Sequence, residues 1–154
     1  MFGDASDSAS TEAHAVARDC LRAGIEAADP ATVIGDRVSY DEDSERLHIS
    51  EATYDLTAVS DVYIVGGGNA AVAIAAALEE ALGARIAGGA VVTDNPRETD
   101  RVEMLPGDHP TPSPRSVEST AEMLDIVADA GPDALVLAVV AGGGSALLAA
   151  PAGD

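Results

Sequence analysis

Two apolar runs, each emptying into three consecutive glycines, constrain this chain more than any other feature. Residues 62–65 lead into Gly66, Gly67 and Gly68, and residues 135–140 lead through Ala141 into Gly142, Gly143 and Gly144. The second run, Leu-Val-Leu-Ala-Val-Val, is what a parallel strand covered on both faces requires. Each cluster removes Cβ atoms where a strand turns into a helix, so backbone N–H groups can approach an anion at the positive helix end. A phosphate or carboxylate is the natural guest. The same glycines equally allow tight packing of strand against helix, and at this level both readings stand.

The rest of the chain alternates in the same manner. Residues 69–82 have helical composition with Ile74, Leu78 and Leu82 four apart, and Gly83 closes that helix. Gly88 and Gly89 mark a turn before a second buried strand over 90–93 that ends at Asp94. Residues 102–105 form a short strand, followed by Pro-Gly-Asp-His-Pro-Thr-Pro-Ser-Pro, a stretch stiffened by its prolines and of the kind that lines sites. Ser116 is the expected N-cap of a helix carrying Val117, Ala121, Leu124 and Ala128 on one face, with Gly131 and Pro132 as its stop.

Upstream, Ala13, Val16, Ala17, Cys20, Leu21, Ile25 and Ala28 recur at helical steps and predict one amphipathic helix that Asp29 and Pro30 terminate. Residues 37–50 predict a hairpin about the charged Asp-Glu-Asp-Ser-Glu turn, and 50–60 a connection. The whole predicts an α/β, Rossmann-like layered fold: a mainly parallel sheet flanked by helices, with an N-terminal helix and a small hairpin. Ligands in such folds bind at the carboxyl edge of the sheet. Residues 1–10, small and polar without periodicity, are expected to be a flexible tail, and 11–154 a single α/β domain.

Charge narrows the function classes. With 27 acidic against 8 basic residues the net charge is −19, which repels nucleic-acid phosphates and anionic lipid surfaces. Every basic residue is an arginine, so no lysine is available for chemistry. A lysine-free acidic surface fits a cytosol of molar salt, where charge repulsion is screened within about 3 Å, and a halophilic source is expected. Cys20 stands alone, which excludes an internal disulfide, fits a reducing compartment and predicts a buried, inert thiol. No basic leader and no run of about 20 apolar residues is present, so no membrane association and a cytoplasmic location are expected.

Few side chains carry chemistry. Ser145 can cap the following helix or donate to a ligand oxygen, but lacks the glycine two residues on that a nucleophile elbow needs. His109 can hydrogen-bond a substrate hydroxyl or carboxylate, or pin its loop. His14 and His48 lack metal-ligand spacing, and no metal site is expected from protein side chains. Gly66, Gly68 and Ala71 also fit the Gly-x-Gly-x-x-Ala fingerprint of an NAD(P)-binding unit, with Asp94 placed for a ribose hydroxyl.

Val-Gly-Gly-Gly-Asn-Ala-Ala (65–71), Gly-Gly-Ala-Val-Val-Thr-Asp (88–94), Gly-Asp-His-Pro-Thr-Pro (107–112) and Val-Val-Ala-Gly-Gly-Gly-Ser-Ala-Leu-Leu-Ala-Ala-Pro (139–151), in this order, resemble the front part of the glycerate 2-kinase family. Leu-Arg-Ala-Gly-Ile-Glu-Ala-Ala-Asp-Pro (21–30) resembles its first helix. The resemblance implies phosphoryl transfer from ATP, with Mg²⁺, to D-glycerate. It also implies a nucleotide and substrate site on Gly66, Gly67, Gly68, Asn69, His109, Gly142, Gly143, Gly144 and Ser145. Family members typically carry a lysine where Asn69 stands, so catalysis is expected to be impaired there. Ala141 replaces a frequent serine, and Asp108 a usual glycine. Family proteins are far longer, with a second domain closing over the site. The chain is therefore expected to be incomplete and weakly active or inactive alone, with room for an oligomer; the alternative to a kinase is a non-catalytic fragment that pairs with a separate C-terminal polypeptide.

Overall fold

The computed structural model describes residues 5–152. Two helices come first, α1 (Ala5–Ala27) and α2 (Pro30–Arg37). Strands β1 (Val38–Asp41), β2 (Arg46–Ile49) and β3 (Ala52–Asp55) then form an antiparallel meander in that order, with Leu47 paired to Tyr40 on one side and Tyr54 on the other. Strands β4 (Val62–Gly67), β5 (Ile86–Thr93), β6 (Glu103–Pro106) and β7 (Leu135–Val140) make a wholly parallel sheet of order β6-β5-β4-β7. Helix α3 (Ala71–Leu82) follows β4, α4 (Pro114–Asp129) follows β6, and the single turn α5 (Gly144–Leu147) follows β7. This is the Rossmann-like layered arrangement that the alternation of elements predicts.

The two-residue period of the strands divides the core. Val62, Ile64, Val91 and Val139 pack with Ala71, Val72, Ala75, Leu78 and Leu82 of α3, together with Val38 and Leu47 of the meander. Val65, Ala90, Val92 and Leu105 face the other way, onto Met123 of α4 and Leu147 of α5. Each such fully buried Val, Leu or Ile contributes about 1.5–3 kcal/mol. Small residues on α3 let the helix backbone lie close to the sheet.

Several elements differ from the sequence-based expectation. Pro30 starts a helix instead of closing one: Asp29 Oδ1 accepts from the N–H groups of Ala31 (3.0 Å) and Thr32 (3.2 Å), and Pro30 occupies the first turn, where its missing N–H has no consequence. The predicted connection contains β3, held to β2 by ladder pairing and by the 3.0 Å contact of His48 Nδ1 with Thr53 Oγ1. Gly88 and Gly89 lie inside β5. A Cβ on Gly89 would fall on the carbonyl oxygen of Ile64, so this glycine permits close approach of β5 to β4.

Helix α4 is capped by Ser113, whose Oγ accepts from the N–H of Ser116 at 3.3 Å. Its buried face is Ser116, Ser119, Thr120 and Met123, while Leu124 is exposed. Hydroxyl groups are tolerated in this contact because they are satisfied. Ser119 Oγ donates to the Pro106 carbonyl (2.7 Å), and Thr120 Oγ1 donates to that of Ser116 (2.6 Å).

Helix α1 starts at Ala5, ahead of the onset at Thr11 that periodicity predicts, so residues 5–10 of the expected tail are helical, and residues 1–4 lie outside the described residues. Its apolar stripe does not pack: Val16, Leu21 and Ile25 are exposed, and Cys20 is an exposed thiol where a buried one was expected. Strand β7 is an edge strand, and Ala138 and Val140 are exposed where coverage on both faces was expected. Among the described residues, no helix is long and apolar enough to cross a membrane.

Candidate functional site

All four parallel strands end on one rim, so the loops after β4, β5, β6 and β7 meet there. The order of the sheet reverses between β4 and β7, and such a switch point leaves a crevice between the two outgoing loops. The Asn69 N–H donates to the Gly142 carbonyl (2.8 Å) and the Ala141 N–H to that of Gly67 (3.1 Å), joining the two glycine loops directly. A Cβ on Gly68 would lie 2.7 Å from the Ala141 carbonyl oxygen. The loops are thus side by side on the same rim.

The side chain of Asn69 reaches across the crevice. Its Oδ1 lies 2.7 Å, and the His109 Cδ2 3.1 Å, from the position a Cβ would occupy on Gly143. His109 turns its other edge to the loop after β5, with Nδ1 3.9 Å from Asp94 Oδ2, both side chains about one-third exposed (32% and 33%). The His109 loop is itself braced. Gly107 N–H donates to the Thr93 carbonyl (2.8 Å), Asp108 N–H to Ser116 Oγ (3.0 Å), and Ser113 Oγ to Asp108 Oδ2 (2.5 Å). Arg115 Nη1 stands 3.8 Å from Asp108 Oδ1.

Asn69, Gly143 and His109 therefore meet at one point, with Asp94 behind the histidine. Gly66 and Gly67 are buried in the strand end, and the Gly68 N–H is spent on the Val92 carbonyl (3.2 Å). The amides of Gly142 and Gly143 have no main-chain acceptor among the described residues. Gly144 is buried and its N–H donates to the Ala141 carbonyl at 3.0 Å. Ser145 is exposed on α5 and does not cap it, because Gly143 occupies the N-cap position. His14 lies on exposed α1 and His48 in the meander.

Sequence reasoning assigned Asp94 to a ribose and did not connect it with His109. It also passed over Ser113, the brace of the loop. A serine directly before Pro114 is a readable cap signal, since proline favours the first helical position.

These loops can be compared with known proteins. A family model described as "Domain of unknown function (DUF4147)" matches residues 16–154. The chain belongs to the DUF4147 family. Among this member's relatives is a protein of Agrobacterium vitis named "Putative hydroxypyruvate reductase", 38% identical over 91 residues, covering 58% of this chain and 24% of the relative. The "Glycerate 2-kinase" of Pyrococcus horikoshii is 29% identical over 129 residues, covering 82% of this chain and 28% of the relative. In three dimensions the DUF4147 chain matches the crystal structure of a glycerate kinase from Thermotoga maritima with a TM-score of 0.71 at 26% identity, over 92% of this chain and 31% of that one. A crystal structure of a Pyrococcus horikoshii protein matches with a TM-score of 0.75, also at 26% identity, over 87% of this chain and 30% of that one. This DUF4147 chain is thus a relative of the glycerate kinases and spans about a third or less of the length of each of these proteins.

Proposed function

We propose that the rim carrying Asn69, Gly142, Gly143 and His109 is the sheet-edge half of a site for ATP-dependent phosphoryl transfer to D-glycerate. The observation that carries this reading is the meeting of Asn69, His109 and Gly143 at the switch point between β4 and β7. In the reaction the 2-hydroxyl oxygen of glycerate forms a bond to the γ-phosphorus, the bond from that phosphorus to the β,γ-bridging oxygen breaks, ADP leaves, and the hydroxyl proton is released. The residues here bind and orient. The Gly142 and Gly143 amides donate to an anionic oxygen, the Asn69 amide hydrogen-bonds the acid or a phosphate, and His109 contacts the acid's hydroxyl or carboxylate.

Mg²⁺ supplies charge neutralisation when it arrives on the nucleotide, and it needs only one or two protein carboxylates. Asp94 fits that need, being an exposed carboxylate at the same rim. Positive charge from the protein is scarce at this point, since Asn69 is neutral. Turnover by this chain alone is therefore expected to be weak. The glycerate kinase names of the Pyrococcus horikoshii and Thermotoga maritima relatives favour the kinase over an NAD(P) site, in which Asp94 would have to serve a ribose, whereas the Agrobacterium vitis relative carries a reductase name.

The test is glycerate-dependent ADP release by the purified chain in molar KCl, with calorimetric titration of D-glycerate, Mg-ATP and NAD. Binding of glycerate and Mg-ATP that is lost in His109→Ala supports the reading. Binding of NAD alone overturns it.

A further inference from the structure

The loop that carries His109 is tied at its base by a closed ring of hydrogen bonds. The Asp108 N–H donates to Ser116 Oγ (3.0 Å), the Ser116 N–H to Ser113 Oγ (3.3 Å), and Ser113 Oγ to Asp108 Oδ2 (2.5 Å). Asp108 is thus bound twice to the first turn of α4, once through its main chain and once through its carboxylate. The foot of the ring is packed, since Ser116 is fully buried and a Cβ on Gly107 would lie 3.4 Å from its Oγ. Residues 109–112, held between the Asp108 and Ser113 corners, make no main-chain hydrogen bond among the described residues. Pro110 and Pro112 stiffen this segment but have no N–H with which to fasten it. The 3.9 Å pairing of His109 with Asp94 is partly exposed, and such pairs contribute little. Hydrogen bonds to a carboxylate are roughly twice as strong as neutral ones, so the ring is the stronger hold.

We infer that Asp108 and Ser113 are positioning residues that keep the His109 imidazole against Gly143 and beside Asn69. The inference deepens the phosphoryl-transfer reading and rests on it for the ligand. Asp108 and Ser113 spend their side chains on each other, so they act on glycerate only through His109. Asp108 stands where the resembled family usually has a glycine, and a glycine has no side chain with which to close the ring. The Arg115 guanidinium beside Asp108 is itself 60% exposed and adds little. What the ring requires at position 108 is an acceptor oxygen, and the charge is secondary.

The test follows the His109 imidazole by NMR in the full chain in molar KCl and titrates D-glycerate calorimetrically into the same samples. Asp108→Ala and Ser113→Ala each open the ring. In both, the His109 resonances should move toward those of an unstructured histidine and lose their Overhauser contacts to Gly143, while amide exchange in β4 and β5 stays native. Glycerate affinity should fall by about tenfold, and the double variant should lose no more than either single one, because the two side chains act as a unit. Asp108→Asn keeps an oxygen for the Ser113 hydroxyl, so it should retain the native His109 resonances and most of the affinity. A wild-type chain that does not bind glycerate would count against the phosphoryl-transfer reading, and the resonances would still decide the positioning. Unmoved His109 resonances in Asp108→Ala, or an Asp108→Asn variant as defective as Asp108→Ala, would each overturn the inference.

Discussion

Asn69 Oδ1 stands 2.7 Å from where Gly143 would carry a Cβ, so the two glycine loops interlock through a side chain of the first and a missing side chain of the second. Gly143 also has φ of +89°, a conformation that L side chains rarely adopt. Gly143→Ala therefore combines backbone strain with displacement of Asn69. We expect a loss of about 1–2 kcal/mol in urea unfolding and, on the proposed function, a larger loss of glycerate affinity than of global stability. Unchanged affinity would show that Asn69 does not serve the ligand.

Asn69→Lys puts a cation where the rim has a neutral amide. Calorimetry should show Mg-ATP or glycerate binding tightened by roughly tenfold, about 1.4 kcal/mol. The gain should shrink as KCl rises, because exposed charges are screened. Equal affinities at low salt would count against an anion in the crevice.

Glu79 ties α3 to the segment entering β6. Its carboxylate accepts from the N–H groups of Asp100 (3.1 Å), Arg101 (2.7 Å) and Val102 (2.8 Å). Glu79→Ala leaves the buried Val102 amide without this partner, and a loss of about 2 kcal/mol is expected in denaturant unfolding. Glu79→Gln, which keeps one acceptor oxygen, should fall between the two.

Acid should loosen the meander first. Hydrogen bonds from the Thr57 hydroxyl (2.6 Å) and N–H (3.0 Å) hold the Asp55 carboxyl below its ordinary value, and bonds from Ser44 do the same for Asp41. A carboxyl lowered by folding stabilises above its unfolded pKa, and that contribution disappears as pH falls through the folded value. Resonances of β1–β3 should therefore shift in the acid range below the ordinary carboxylate pKa. Thr57→Val should move the Asp55 midpoint upward, and an unmoved midpoint would contradict the assigned cause.

Salt should stabilise the fold. With a net charge of −19, self-repulsion opposes the compact state at low ionic strength. The thermal midpoint should climb steadily from low to molar KCl. A flat response would remove the case for a halophilic protein.

The strands at both glycine clusters and the helices after them were legible because each is a local pattern: a short apolar run, a break, a helical period. The rim residues Asn69 and His109 were legible as candidates through the family resemblance. Their meeting was not, since it depends on β4 pairing with β7 across a long stretch of chain. Local signals also misled where one residue type serves opposite ends. Pro30 after Asp29 looks like a stop, but the side-chain bonds of Asp29 make it a start. Ser116 looked like a cap, and tertiary packing instead buries it under Asp108.

By itself the sequence determined most of the parallel strands and the helices that follow them, though neither α2 nor β3, and that glycines lie at two strand ends, because backbone preference and period act over a few residues. Only the tertiary structure decided the sheet order, and with it the partner of each loop, the open edge of β7 and the outward face of α1. Those outcomes follow from which surfaces exclude water from one another, and that is a property of distant segments packed together.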